Sequence, residues 1–372
     1  MRHDASATVS AALIVRDESE FIADCLRSLT GNVDEIVLVD TGSRDDTIEI
    51  ARRFPVELHH FRWCNDFSAA RNHALERAKS DWILYIDADE RLEIPDPDGF
   101  SRALADRTKV AWQLRLHPKV GWTAYAELRL FRNDPRIRFH GVIHERIYPG
   151  VEAVASADGL GVRVCDVRLQ HVGYEADQRP KNSRNIPMLR EYLSRDPDRL
   201  YCWWHLGECL RLAGDQDAAI AAWTTGIARL LALDAADRQL GDGGLYLSLL
   251  KAKHERGEPI DGLAAEALAL FPDHLAIQWI AAQVAVARGD LDAARPVLEK
   301  LTAIDPDEFF DSKLAYDKAL FRHLSAEPLA LCHFRAGRFH DAARLYCAAA
   351  RTAPDPAPLE LKARLAQLRA AS

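Results

Sequence analysis

Residues Trp82–Glu90 read Trp-Ile-Leu-Tyr-Ile-Asp-Ala-Asp-Glu, an apolar run that passes directly into three carboxylates. A run of about four to eight such apolar residues is typical of a buried strand. Carboxylates beyond its end do nothing for a core, but they lie where open α/β sheets bind ligands. Asp87 and Asp89 suit a hard divalent cation that grips nucleotide phosphates. The stretch predicts a metal- and nucleotide-dependent site, although an ordinary acidic loop is the alternative for this motif alone.

Strands and helices alternate in the sequence before this stretch. The alternation predicts a parallel sheet, with polar loops at the strand ends collected along one edge. The predicted strands are Thr8–Val15, Glu35–Val39 and Val56–His60, and the predicted helices cover residues 18–29, 45–53 and 67–78. Asp66 is a plausible N-cap for the last of these helices. The loops 16–18, 40–43 and 87–90 are therefore expected to converge.

Composition excludes several classes of protein. A chain of 372 residues is long enough for two domains, and 48% hydrophobic with 28% charged residues is typical of a soluble globular protein. The net charge of −8 argues against a nucleic-acid partner. The seven cysteines form no Cys-x-x-Cys pair, which argues against structural zinc, and their odd number fits a reducing compartment. With no signal core at the N-terminus and no apolar stretch of about 20 residues, we expect a cytoplasmic protein without a transmembrane segment.

Four ordered motifs resemble those of family 2 glycosyltransferases: Leu13–Glu18, Val39–Thr47, Asp66–Asn72 and Ile86–Glu90. The string Asn-Asp-Phe-Ser-Ala-Ala-Arg-Asn at residues 65–72 is similar to a bacterial subgroup that couples this domain to tetratricopeptide-like repeats. That subgroup includes peptide S-glycosyltransferases of the sublancin type. The resemblance covers residues 8–175 approximately.

The resemblance implies a GT-A fold, Rossmann-like and α/β, that binds a nucleotide-sugar donor. By position it implies that Asp40 contacts the base or ribose, Arg71 the nucleotide or its phosphates, and Asp87 the ribose. It implies that Asp89 binds the metal, as Mn²⁺ or Mg²⁺. Glu18, in the first loop of the same edge, joins the residues expected to bind the nucleotide-sugar.

One position departs from the family pattern. Many relatives carry two aspartates before Gly-Ser, whereas this chain has Asp40 followed by Thr41. UDP is the expected nucleotide, but the departure leaves its base contact open. Asp-x-Gly-Ser is also good turn chemistry, so a purely structural Asp40 is the alternative.

The acceptor side is expected after residue 110. Val110–His117 and Glu127–Phe131 alternate apolar and polar residues, as half-buried strands do. The loop between them carries Trp122 and Tyr125, which either stack on a sugar or peptide or pack into the core. An inverting transferase needs a base that removes a proton from the attacking acceptor, and Glu145 is our candidate.

Two histidines accompany that base. His144 either supports Glu145 or contacts the donor. The resemblance implies that His171 completes the metal shell, because comparable enzymes place a late histidine there; a histidine that merely ends a strand is the alternative.

The sequence becomes helical after residue 178. Pro272 and Pro306 are 34 residues apart, the period of tetratricopeptide repeats. We expect four helical pairs and a capping helix over 357–370, with an insertion around 307–322. The predicted domains are 1–178 (glycosyltransferase), 179–197 (linker helix) and 198–372 (an all-α helical solenoid). The solenoid either docks an acceptor, braces the first domain or forms a homodimer surface.

Together these features predict a metal-dependent, inverting glycosyltransferase acting on a protein, peptide or glycan. One alternative is a non-catalytic nucleotide-binding protein whose repeats recruit partners. A nucleotidyltransferase is a weaker alternative, because it needs a glycine-rich loop where this chain has Arg16-Asp17-Glu18.

Overall fold

The computed structural model describes residues 7–173 and 179–371, without the side chains of residues 179–183. The chain divides into two compact units. The first comprises Met1–Val120 and Ala124–Tyr192, and the second comprises Gly121–Thr123 and Leu193–Ser372. The domain boundary predicted at residue 178 lies outside the described residues.

The first unit is built on an eight-stranded sheet with the order β3-β2-β1-β4-β7-β6-β8-β5. The strands are β1 (Val9–Val15), β2 (Glu35–Asp40), β3 (Glu57–His60), β4 (Trp82–Tyr85), β5 (Glu90–Glu93), β6 (Lys109–His117), β7 (Tyr125–Arg132) and β8 (Gly161–His171). The helices are α1 (Ile22–Leu29), α2 (Thr47–Ala51), α3 (Phe67–Leu75), α4 (Pro97–Ala105), α5 (Tyr148–Asp158) and α6 (Arg179–Arg195).

Parallel pairing is confirmed for the first four strands, and the sheet as a whole is mixed. β1 pairs in parallel with β2 and β4, and β2 with β3. β7 then pairs antiparallel with β4 and β6. Because β1 to β4 run in one direction, their carboxyl ends share one edge of the sheet, as the sequence predicts.

Apolar side chains on both faces of the strands hold this sheet. Ala11 and Leu13 of β1 pack with Leu26 of α1 on one face, while Ala12 packs with Leu75 of α3 on the other. Burial on both faces explains why these strands are continuous apolar runs rather than alternating ones.

Strand β5 was absent from the sequence prediction. It follows the acidic motif at once and pairs antiparallel with β8, placing Glu90 opposite His171. Its sequence, Glu-Arg-Leu-Glu, has one apolar residue, so no periodic pattern marks it. Helix α1 is shorter than predicted, because the Glu18 carbonyl closes a turn with the Phe21 and Ile22 amides before the helix begins.

Besides the end of α6, the second unit contains nine α-helices within residues 193–371. They form four pairs and a terminal helix, as predicted. The helices are α7 (Leu200–Leu212), α8 (Gln216–Ala232), α9 (Gly243–Glu255), α10 (Asp261–Leu270), α11 (Leu275–Arg288), α12 (Leu291–Thr302), α13 (His323–Arg335), α14 (Phe339–Ala350) and α15 (Ala357–Ala370). None of the described helices is long and apolar enough to cross a membrane.

The predicted insertion lies between α12 and α13. It includes a short 3₁₀ helix, Lys318–Phe321. Within the second unit, the backbones of Trp122 and Asp317 form an isolated antiparallel β-bridge. The amide of Lys318 donates to the Gly121 carbonyl at 2.8 Å. This pairing gives residues 121–123 a defined backbone partner.

Candidate active site

The acidic motif forms a tight turn between β4 and β5. The Ile86 amide makes the last sheet bond, to the Ala12 carbonyl at 3.2 Å, and the Val172 amide donates to the Asp89 carbonyl at 2.9 Å. Glu90 is fully buried, and its carboxylate accepts the Asp87 amide at 2.9 Å. The hydrogen bond to buried Glu90 therefore holds the turn in place.

Arg129 of β7 holds Glu90 from the neighbouring strand. Its two terminal nitrogens donate to the two Glu90 oxygens at 2.7 and 3.1 Å, and one lies 3.9 Å from Asp87. The guanidinium also lies 4.5 Å above the Tyr85 ring. Despite Arg129, burial and the charges of Asp87 and Asp89 raise the pKa of Glu90 to about 7. Sequence reasoning missed Arg129, because Arg129 occupies a polar position in the alternating pattern of β7, where a solvent-facing side chain is expected, and yet it is buried.

Arg71 of α3 joins two residues that the sequence analysis assigned to different tasks. Its Nε donates to Glu145, the candidate base, and its Nη2 donates to Asp87 at 2.8 Å. Burial opposes ionisation of Asp87, but Arg71 and Arg129 outweigh it and lower the pKa of Asp87 to about 2. Arg71, expected near phosphate, thus binds two carboxylates.

Asp89 and His171 lie together, as the predicted metal ligands should. His171 Nε2 is 3.3 Å from Asp89 Oδ2. Gly173 packs so closely on the Asp89 carboxylate that a Cβ at this position would clash with it. Burial favours neutral His171, but the hydrogen bond to Asp89 and the nearby carboxylates raise the pKa of His171.

The charges around the turn suit a divalent cation. Asp87, Glu90 and Glu145 share the guanidiniums of Arg71 and Arg129, and Asp89 lies beside His171. Residues 7–173 and 179–371 contain no group of three or more His, Cys, Asp or Glu positioned to hold a metal. A carboxylate and an imidazole are nevertheless acceptable Mn²⁺ ligands, and such ions usually complete their shell with phosphate oxygens and water. Asp89 and His171 fit a metal bound jointly with a diphosphate.

Asp40 lies buried at the end of β2. One carboxylate oxygen accepts the Ser43 amide at 2.9 Å, so the turn interpretation holds for that oxygen. The other is 3.3 Å from His60 Nδ1, a residue of β3 that the sequence analysis did not select. The neighbouring Thr41 hydroxyl donates inward to the Val15 carbonyl at 3.1 Å. Thr41, where the sequence departs from the expected family pattern, is thus bound to the end of β1.

Glu18 lies beside this loop, at the same edge. Its amide donates to the Thr47 hydroxyl at 2.8 Å. Asp17 binds the Arg44 amide at 2.7 Å and adopts a left-handed backbone with φ of 56°. These bonds hold the first loop against the second.

His144 and Glu145 belong to a closed loop between β7 and α5. His140 and Arg146 exchange two backbone hydrogen bonds of 3.0 and 2.9 Å that close its base. His144 has a φ of 50°. A left-handed backbone is unfavourable for a non-glycine residue and persists where surrounding contacts hold it, often at functional sites.

Three segments of the chain match models of known protein families. Residues 10–163 match the glycosyl transferase family 2 model, and residues 183–236 and 262–315 match tetratricopeptide repeat models. The chain carries a family 2 glycosyltransferase domain. Tetratricopeptide repeats follow it, and the α/β GT-A class expected for the first domain is confirmed.

Two curated proteins are similar to more than half of this chain. A TPR repeat-containing protein of Synechococcus elongatus is 38% identical over 223 residues, covering 58% of this chain and 55% of that protein. The SPbeta prophage-derived glycosyltransferase SunS of Bacillus subtilis is 29% identical, covering 57% of this chain and 51% of SunS. The chain thus spans about half the length of these relatives.

Solved structures are similar at low identity. The mannosyltransferase PcManGT from Pyrobaculum calidifontis, in complex with GDP-Man and Mn²⁺, has a TM-score of 0.41 and 19% identity, covering 73% of this chain and 88% of that one. TarS 1–349 of S. aureus, in complex with UDP, has a TM-score of 0.38 and 14% identity, covering 79% of this chain and 90% of that one.

Proposed function

We propose that this chain transfers a sugar from a nucleoside diphosphate sugar, with UDP as the expected nucleotide, to a protein, peptide or glycan. The observation that carries the proposal is the Arg71 bridge between Asp87 and Glu145, inside the family 2 domain. It joins the expected donor site to the expected base at the sheet edge where such folds bind nucleotides.

The donor binds along this edge in the proposal. Asp40 and Glu18 take the base and ribose side, and Asp87 lies near the ribose. Asp89 and His171 hold a divalent cation, Mn²⁺ or Mg²⁺, which when bound neutralises charge on the leaving diphosphate. The excess of carboxylates around the turn supports a cation requirement, because a diphosphate is itself anionic.

Glu145 acts as the base in this scheme. Arg71 holds one of its oxygens, and no described residue donates a hydrogen bond to the other. That oxygen accepts the acceptor's proton while the acceptor atom bonds to the anomeric carbon. The bond from that carbon to the diphosphate breaks on the opposite face, which inverts the anomeric configuration. His144 is adjacent and supports the loop or contacts the donor.

The repeats supply the acceptor side of the proposal. Stacked helical pairs offer an extended surface suited to a peptide or protein. The resemblance of residues 65–72 to peptide S-glycosyltransferases supports a peptide acceptor.

A thermal-shift screen tests donor binding. UDP, GDP, CDP and ADP are compared with and without Mn²⁺, because a ligand that binds the folded state raises the melting temperature. We expect UDP with Mn²⁺ to give the largest rise. Hydrolysis of the matching sugar nucleotide is then measured. Binding without any turnover, even with peptide acceptors present, would favour the non-catalytic alternative; no binding of any nucleotide would contradict both.

A further inference from the structure

Helix α3 grips the segment that carries Glu145. We call residues 139–146 the Glu145 loop. The Phe67 amide donates to the Val142 carbonyl at 2.9 Å. The hydroxyl of buried Ser68 donates to the Gly141 carbonyl at 2.6 Å. Two successive carbonyls of the loop are therefore bound by the first turn of α3.

Asn72 makes the most specific contact with the loop. Its Nδ2 donates to the Phe139 carbonyl at 3.0 Å, and its Oδ1 accepts the Phe139 amide at 2.8 Å. The side-chain amide thus pairs with this residue as a neighbouring strand would. An aspartate at this position would keep the acceptor but lose the donor, and an alanine would lose both.

The side chains that make these contacts lie on one face of α3, a helix whose N-terminus is capped. The Asp66 carboxylate caps α3 by accepting the Ala69 amide at 3.0 Å. Ser68 and Asn72 are four residues apart, so they project from the same face of α3. Arg71 directly precedes Asn72, and its side chain reaches Glu145.

The Glu145 loop needs such external support. Its left-handed His144 has an unfavourable backbone conformation that the surrounding contacts must hold. Within the described loop, backbone hydrogen bonds join His140 and Arg146 at its base. The hydrogen bonds from α3 reach Phe139, Gly141 and Val142, which precede His144 and Glu145.

We infer that Asn72 and Ser68 are positioning residues: they hold the Glu145 loop so that the Glu145 carboxylate stays in place beside Arg71 and Asp87. The catalytic consequence rests on the proposed function. A displacement of about 1 Å in a reacting group costs on the order of 10²-fold in rate. Asn72→Ala should therefore lower kcat by about 10–10²-fold. Donor affinity should stay nearly constant, because the side-chain hydrogen bonds of Asn72 and Ser68 go to the loop backbone and not to Asp40, Asp87 or Asp89.

Asn133 offers a matched control. It is also an asparagine whose side-chain amide binds backbone, donating to the Ala78 and Ser80 carbonyls at 2.9 Å each. It follows β7, whose Arg132 pairs with Trp82 at the start of β4, so it lies at the edge opposite to the acidic turn. Asn133→Ala should destabilise the fold by a similar amount without changing kcat.

The experiment combines hydrogen exchange with kinetics on the full chain. Amide exchange is measured on peptides covering residues 139–146 in the wild type, Asn72→Ala and Asn133→Ala. We expect faster exchange there in Asn72→Ala alone, together with the selective fall in kcat. If Asn72→Ala does not fold, Ser68→Ala, which loses one hydrogen bond, takes its place and should show the same pattern more weakly.

The outcomes separate this inference from the proposed function. Unchanged exchange in the loop, or an equal loss of kcat in Asn133→Ala, would overturn the positioning role. An equal loss of donor affinity would also overturn it, because the residues would then serve binding. A wild-type protein that turns over no donor would contradict the proposed function, and the exchange data would still decide whether α3 holds the loop.

Discussion

Asp87 and Asp89 are one residue apart but have different surroundings. Asp87 faces two guanidiniums, which lower its pKa and form ion pairs with its two carboxylate oxygens. Asp89 instead faces the imidazole of His171 and the backbone of Gly173. Asp89 is therefore the aspartate of the pair better suited to bind a cation.

Asp89→Asn tests this assignment. The amide keeps the size of the side chain against Gly173 but removes its charge. We expect the Mn²⁺-dependent thermal shift with UDP to disappear and turnover to fall by about 10²–10³-fold, since the metal contributes several kcal/mol. The exposed Asp166→Asn on β8 is the control and should behave as wild type. Full activity in EDTA would contradict the assignment.

Glu145→Gln separates binding from chemistry. The amide still accepts a hydrogen bond from Arg71 but cannot take a proton. Turnover with a hydroxyl acceptor should fall by about 10²–10⁴-fold while donor affinity, measured by calorimetry, stays the same. A thiol acceptor should show a smaller loss, because a thiol of pKa about 8.5 is partly ionised already. Glu152→Gln, on the exposed face of α5, is the control; a parallel loss of donor affinity would make Glu145 a binding residue.

Helices α7 and α8 approach each other closely at Gly207. A Cβ at Gly207 of α7 would collide with the Trp223 ring of α8. Gly207→Ala should therefore lower the free energy of unfolding by about 1–3 kcal/mol. Gly262→Ala is the contrast, because no atom lies within 4 Å of its added methyl group and alanine favours a helix by up to about 1 kcal/mol. Urea unfolding curves measure both, and equal effects would contradict this packing argument.

The start of α11 carries a pH-sensitive residue. His274 is buried against Tyr316, its Nδ1 makes no hydrogen bond to any residue that the structure describes, and burial lowers the pKa of His274 to about 4. Between pH 6.5 and 4 the unfolded chain binds more protons at this residue than the folded chain. Its contribution to stability is thus present above about pH 6.5 and lost as the pH falls toward 4, by about 2–3 kcal/mol.

His274→Phe should flatten this part of the pH dependence. Unfolding free energies of wild type and variant are compared between pH 7 and 4. As the pH falls, the unfolding free energy of the variant should rise relative to that of the wild type. A difference that stays constant over this range would rule out His274 as the responsible group.

For the whole molecule, the division of labour between the two units can be tested by removing residues 198–372. The candidate site residues all lie between Glu18 and His171, so donor binding and slow donor hydrolysis should survive. Transfer to a macromolecular acceptor should disappear if the repeats dock it. An insoluble product would instead indicate that the repeats brace the first domain. A soluble truncation that glycosylates at the normal rate would contradict both roles.

The sequence alone was sufficient wherever the information is local. Apolar runs such as Trp82–Tyr85 predict buried strands, and the polar residues after them fall at one edge because parallel strands share a direction. The period between Pro272 and Pro306 likewise predicts stacked helical pairs. Asp66, whose side chain accepts the Ala69 amide, is predictable as an N-cap for the same local reason.

Only the tertiary structure decided which of these residues touch. Arg71 meets Glu145 across 74 residues of sequence, Asn72 meets Phe139 across 67, and Arg129 meets Glu90 across 39. These contacts follow from the order in which distant strands pair, and local periodicity carries no record of that order. The same pairing makes Glu90–Glu93 a strand, although its charged sequence has no pattern typical of a strand. Burial then sets the charge state of the cluster, because a carboxylate's pKa depends on the charges and solvent around it in the fold.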